Sequence, residues 1–249
     1  MKHKMFSHKK SKNPSDRIND IPTIIVGDTS GSANSSYNRL KDNIIYYIDD
    51  GKRKVFQIES SIAGEGKSTI VANLAVSLAK NDKKVVVVDL DFRSPKMHKC
   101  FRVLNTNGIA EYMLGECEIE KLIKKSDFGV DVVNRGKSAH NASIIFTSEK
   151  FKKLIAKLRE EYDVVLFDCP PVLQVSEYMH IAKHSDAVIM VVSAGVVRKS
   201  QLTEAVKMLK LNGIEIFGTV MTYENEKQSP TYNEYAYYGK NYGNYGQEK

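Results

Sequence analysis

The chain has 249 residues, 42% of them hydrophobic and 27% charged, and a formal net charge of +7, which describes an ordinary globular protein with room for one sizeable domain. Much of the positive excess lies in "KHKMFSHKKSK" at the N-terminus, which has no apolar core and so does not read as a secretory signal, and the longest nearly apolar run, 187–197, is far shorter than the roughly 20 residues that span a bilayer. Three cysteines, Cys100, Cys117 and Cys169, with no CxxC spacing argue against a disulfide framework and a zinc site, and together these points lead us to expect a cytoplasmic protein.

Residues 1–34 read as a mobile arm with one short strand, "IPTIIVG". Its basic start reads as solvated rather than as a nucleic-acid or lipid contact, because it is short and lacks interleaved aromatics. From Ser35 the apolar residues Tyr37, Leu40, Ile44 and Ile48 recur at helical spacing. β-branched runs then alternate with helical stretches. The runs are 55–59, 84–90, 163–168, 187–192 and 214–220, with a short one at 130–134, and the helices are 67–80, 148–161 and 200–212. Runs apolar on both faces, separated by helices, predict an α/β fold with a doubly wound, mostly parallel sheet over 35–223. The remainder, 224–249, reads as a disordered tail. Its stretch "TYNEYAYYGKNYGNYG" contains six tyrosines and no Leu, Ile, Val, Met or Phe.

Three motifs sit at the ends of these strands. After the first run comes "SSIAGEGKST", a P-loop with Ser61 in its first glycine position. Gly64, Glu65 and Gly66 form the turn, whose backbone N–H groups face phosphate oxygens. Lys67 reaches the β/γ-phosphates, as a charge that only phosphate needs, and Ser68 places a hydroxyl on Mg²⁺. The second run ends in "VVVVDLDFRSP", where Asp89 and Asp91 alternate along an extended chain and so share a face. They suit Mg²⁺ and, for one of them, a proton from a hydroxyl nucleophile, while Arg93 is placed to pair with either carboxylate or with phosphate. The third run, "DVVLFDCPP", is a Walker B strand that delivers Asp168 to the same edge. His180 and His184, four apart, read as a solvated helix face rather than a metal site.

In that order (P-loop, D-x-D-x-R-x-P, D-x-P-P, tyrosine cluster) the chain from Ser35 onward resembles the bacterial tyrosine kinases of capsule and exopolysaccharide synthesis. The resemblance implies a P-loop NTPase fold with Walker A, A′ and B motifs, and a protein-tyrosine autokinase using ATP and Mg²⁺. It implies that Lys67, Ser68, Thr69, Asp89, Asp91 and Asp168 form the catalytic and ATP·Mg²⁺ set. Tyr232, Tyr235, Tyr237, Tyr238, Tyr242 and Tyr245 become autophosphorylation sites, possible in trans between copies. It further implies a membrane-embedded activator that recruits the chain to the inner face of the cell membrane, and a cognate phosphotyrosine phosphatase. Partitioning ATPases of the same fold have a lysine five residues before the main one, where this chain has Ile62. The chain also departs from the family. In the first helix, "SSYNRLKDNI", Ser35, Asn38 and Lys41 replace the Glu and two Arg that join subunits into a ring, so we expect weaker assembly. "HNASI" at 140–144 replaces a Pro-Asn-Pro-Ser-Glu-like segment, and Thr222 lies where the family has an Asn close to adenine.

Overall fold

A computed structural model describes residues 22, 24, 32–48, 51, 53–137 and 142–223. The "IPTIIVG" strand and the tyrosine tail fall largely outside that set. Of the former only Pro22 and Ile24 are described, neither of them in a strand; the Pro22 carbonyl accepts from Cys100 Sγ at 3.4 Å, and Ile24 packs on the core.

Helix α1 (Ser32–Ile48) begins three residues before the periodic pattern does, and it buries Ile44 and Ile48 while Tyr37 and Leu40 are partly covered. Then follow β1 (Val55–Ser60), α2 (Lys67–Ala79), β2 (Val85–Asp89), α3 (Met97–Cys100), α4 (Ile109–Leu114), a 3-10 turn, β3 (Ile123–Lys125) and β4 (Asp131–Val133). The chain continues through α5 (Ala142–Thr147), α6 (Glu149–Glu161), β5 (Val164–Asp168), α7 (Tyr178–Ala182), β6 (Ala187–Ala194), α8 (Lys199–Leu211) and β7 (Ile216–Tyr223).

The strands form one seven-stranded sheet in the order β3-β4-β2-β5-β1-β6-β7, with every pair parallel except β3–β4. Alternation within β2 shows why its run is apolar throughout. Val85 and Val87 join one core with Ile44 of α1 and Leu74 of α2, and Val86 and Val88 join the other with Phe151, Leu154 and Leu158 of α6. Burying each such side chain contributes roughly 1.5–3 kcal/mol. The last strand departs from this pattern. It runs to Tyr223 rather than ending at 220, and Thr219 and Met221 are exposed, because β7 lies at the edge of the sheet.

The winding positions the site. β1, β2 and β5 lie side by side and parallel, so their carboxyl ends emerge together, and the turn into α2 begins at one of them.

Candidate nucleotide site

Gly64 and Gly66 both adopt left-handed backbone, with φ of 86° and 85°, and Gly66 is the residue that caps α2. A side chain is strained in that conformation, so glycine is what lets the loop turn its amides toward the end of α2. A built Cβ on Gly66 would lie 3.7 Å from Thr222 Cγ2. Thr222, which stands where the family has an Asn close to adenine, touches the loop and donates its hydroxyl to the Glu65 carbonyl at 3.1 Å. Glu65 is itself buried. Its carboxylate accepts from Ile62 N at 2.9 Å and from Ser193 N at 3.1 Å, tying the loop to the end of β6. Burial pushes the Glu65 carboxyl up, partly offset by those amides and that of Ser61.

The first residue of α2, Lys67, turns inward. Its ammonium is 3.0 Å from Asp168 Oδ1, and both side chains are almost wholly buried. Burial acts to lower the Lys67 pKa, but Asp168 and Asp91 outweigh it and hold the ammonium charged above its ordinary range. The charge is therefore not one that only phosphate needs: it already neutralises a buried carboxylate.

Asp89 and Asp168 are register partners on adjacent strands, so both side chains leave the same face. Asp89 is fully buried; its Oδ2 accepts from Lys96 N and Met97 N, each at 3.0 Å. Burial, and then the neighbouring Asp168 and Asp91 charges, raise its pKa well above the usual 3.8. Asp91, 8% exposed, folds back on its own turn, where Oδ1 accepts from Arg93 N at 3.2 Å and Ser94 N at 3.0 Å. The Arg93 guanidinium is exposed and pairs with neither carboxylate; its backbone N–H is what meets Asp91. Ser61 is buried, Ser68 and Thr69 are half-buried in the first turn of α2, and all lie in the same loop-to-helix segment.

This donor set can be tested against a Mg²⁺–nucleotide. Asp89 Oδ1 and Asp168 Oδ2 are buried without any hydrogen-bond partner, although buried oxygens are almost always satisfied. Asp168 and Asp91 act on the one buried ammonium, and Asp89 neighbours both of these carboxylates. The described residues contain no group of three or more His, Cys, Asp or Glu placed to enclose a metal by themselves. Mg²⁺ does not need such a cage; it is commonly held by one or two carboxylates with phosphates and waters. The residues fit such a pair.

The sequence did not single out Glu59. It is fully buried on β1, in register with Met190 of β6, and takes a 2.6 Å hydrogen bond from Gln57, while its Oε2 has no partner. Burial raises it to about 8. Only its place in a strand-like run with Val55, Phe56 and Ile58 hinted at this. The two histidines are not a solvated helix face. α7 ends at Ala182, His184 Nε2 is 2.8 Å from the Phe146 carbonyl, and its ring packs edge-on against Phe151. The short helix turns His184 inward, onto α6.

The AAA domain family matches residues 53–214. Tyrosine-protein kinase YwqD of Bacillus subtilis (strain 168) is 33% identical over 204 residues, covering 82% of this chain and 85% of YwqD. Tyrosine-protein kinase Etk of Escherichia coli (strain K12) is 26% identical over 87% of this chain, which spans only 30% of the length of Etk. The solved kinase domain of the E. coli Etk superposes with a TM-score of 0.76 at 25% identity, covering 83% of this chain and 82% of that domain. The septum site-determining protein MinD from Pyrococcus horikoshii OT3, solved with Mg-ADP, superposes at 0.57 with 26% identity over 68% of this chain and 69% of MinD.

Proposed function

We propose, for a chain that belongs to the bacterial tyrosine-protein kinase family, that it transfers the γ-phosphoryl group of ATP to the tyrosines of its own C-terminal segment. The observation that supports this most is the convergence of Lys67, Asp89, Asp91 and Asp168 on the glycine loop, with two buried carboxylate oxygens left unmatched. The loop amides around Gly64 and Gly66 hold phosphate, and Lys67 follows the charge that moves during transfer. Mg²⁺, when bound with ATP, neutralises the phosphate oxygens. Ser68, Asp89, Asp91 and Asp168 are the side chains placed to hold it. Asp91 or Asp89 takes the proton of the incoming phenol, whose ordinary pKa near 10 makes a base useful at neutral pH.

The acceptors we assign are Tyr232, Tyr235, Tyr237, Tyr238, Tyr242 and Tyr245, in a segment beginning where β7 ends. Each phosphate adds about −1.5 to −2 charge, so full modification overturns the formal +7. By family likeness, the chain acts in capsule or exopolysaccharide synthesis. It is then recruited to the inner face of the cell membrane by a membrane-embedded activator and reset by a phosphotyrosine phosphatase. No helix among the described residues is long and apolar enough to cross a membrane.

A second reading, an ATPase switch that hydrolyses ATP onto water, is favoured by the likeness to MinD. The test is Asp91→Asn, followed with an ATP analogue and with transfer to tyrosine. Retained analogue binding with lost Mg²⁺-dependent transfer supports the kinase site. Normal transfer shows that the Asp91 turn is not part of it, and hydrolysis without phosphotyrosine in the wild type favours the switch.

A further inference from the structure

The turn carrying Asp91 is gripped from outside by a residue that no motif includes. Arg135 follows β4, and its guanidinium donates to three carbonyls: Nη1 to Phe92 at 2.9 Å, Nε to Gly136 at 3.1 Å and Nη2 to Lys137 at 3.2 Å. The Phe92–Arg93 peptide is thereby fixed at both ends. Its carbonyl accepts from Arg135, and its N–H donates to Asp91 Oδ1 at 3.2 Å. The Phe92 ring packs edge-on against the fully buried Phe146 of α5, 5.3 Å between centroids, which fixes the same peptide from the side. A peptide polarised by a guanidinium at its oxygen is a better donor at its nitrogen, so Arg135 strengthens the bond that orients the Asp91 carboxylate.

We propose that Arg135 is a positioning residue for phosphoryl transfer: through the Phe92–Arg93 peptide it holds the Asp91 carboxylate in the orientation that meets Mg²⁺ or the phenol. The fork is what makes the contact specific. A lysine presents a point charge and reaches one carbonyl where arginine bridges three. Without Arg135 the peptide loses the bond that fixes its carbonyl, and the Arg93 N–H holds Asp91 less firmly while the loop that binds phosphate is untouched. Glu111, whose carboxylate accepts from Gly108 N and Lys137 N, keeps the segment after β4 in place, so the effect of losing Arg135 stays local.

This inference rests on the kinase reading, and its test separates the two. Arg135→Ala and Arg135→Lys are compared with the full-length wild type in three measurements. The first is ATP-analogue affinity in EDTA, expected to change less than about twofold, since the phosphate loop is not involved. The second is the Mg²⁺ concentration for half-maximal transfer to tyrosine, expected to rise about tenfold in Arg135→Ala and less in Arg135→Lys, with kcat falling and the KM for ATP nearly constant. The third is hydrogen exchange at the amides of Arg93 and Ser94, expected to quicken at least tenfold while those of Gly66 and Lys67 do not. Should Arg135→Ala not fold, Arg135→Lys alone carries the comparison. Unchanged exchange at 93–94, or an unchanged Mg²⁺ requirement, overturns the proposal. Exchange that quickens equally throughout the domain makes Arg135 merely structural and also overturns it. If the wild type transfers no phosphate, the kinase reading fails, and the exchange data still decide whether Arg135 orients Asp91.

Discussion

Individual residues at this site serve the fold and the ligand at once, and their substitutions should show both effects. Lys67→Met removes the charge that meets phosphate and should abolish measurable ATP-analogue binding. Because the Lys67 ammonium also lies 3.0 Å from buried Asp168, the variant should lose on the order of 3 kcal/mol of stability as well, unless the stranded carboxyl takes up a proton. Titration with the analogue and a denaturant midpoint read these separately; undiminished affinity contradicts the assignment of the glycine loop. Glu59 gives the opposite case. Its folded pKa is raised from 4.5 to about 8 by burial, so its neutral form stabilises the fold fully below 4.5, and that contribution is lost as pH rises toward 8. Glu59→Gln retains the acceptor used by Gln57 and removes the ionisation. It should be more stable than the wild type at pH 7 by on the order of 3 kcal/mol, with little difference near pH 4.5. A stability difference that does not grow between pH 5 and pH 8 contradicts this.

Elements are joined here by a few long-range polar ties. Asp186, just before β6, accepts from the N–H of Lys54 and Val55 at the start of β1, each at 2.8 Å, and holds Arg159 of α6 through two bonds of 2.8 and 2.7 Å. Burial raises its pKa, but the Arg159 guanidinium and the two amides outweigh it and keep the carboxyl below 3.8. That contribution is present above pH 3.8 and is lost as pH falls through the lower folded value. Asp186→Asn should therefore cost about 1–3 kcal/mol at pH 7 and leave a variant whose acid denaturation is shallower, measurable by urea melts at pH 7 and pH 3. Equal losses at the two pH values would argue against the tie. Such contacts were not legible in the sequence, because Arg159 and Asp186 sit in different predicted elements and nothing in either pattern pairs them. The strands were legible for a physical reason. β2, β5 and β6 are covered on both faces and hence almost continuously apolar, and β1 is buried throughout but carries Gln57 and Glu59, whereas β3, three residues at the edge, has no such run. Helices α3, α4, α5 and α7 have four to six residues each, too short to show a period. At the site, motif spacing picked out Lys67, Asp89, Asp91 and Asp168, which the fold brings together. Glu65 holding Ser193, Thr222 touching the loop and the Arg135 grip depend on tertiary proximity alone.

At the scale of the whole molecule, the surroundings of Lys41 bear on whether copies assemble. Its ammonium is already engaged within its own chain, 3.1 Å from Asn81 at the end of α2 and 3.1 Å from Asp42, while Ser35 and Asn38 are exposed and uncharged. We therefore predict a monomer, or assembly weaker than a stable ring, in the presence of ATP and Mg²⁺. Light scattering checks this, and a stable ring shows that other residues make the contact. Assembly and chemistry are separate questions, since phosphorylation needs only that a tyrosine reach the site of its own or another copy. The central claim concerns the destination of the phosphate. Mass spectrometry of the full chain after incubation with ATP and Mg²⁺, with and without the cytoplasmic segment of the membrane activator we propose, tests it most directly when compared with truncation after Gln228 and with Asp91→Asn. The account predicts phosphate on Tyr232, Tyr235, Tyr237, Tyr238, Tyr242 and Tyr245 of the wild type, almost none on Asp91→Asn, and almost none on a truncated chain that still binds the ATP analogue. Phosphate found chiefly on domain tyrosines such as Tyr46 or Tyr112, or ATP consumed with no tyrosine modified, would contradict it.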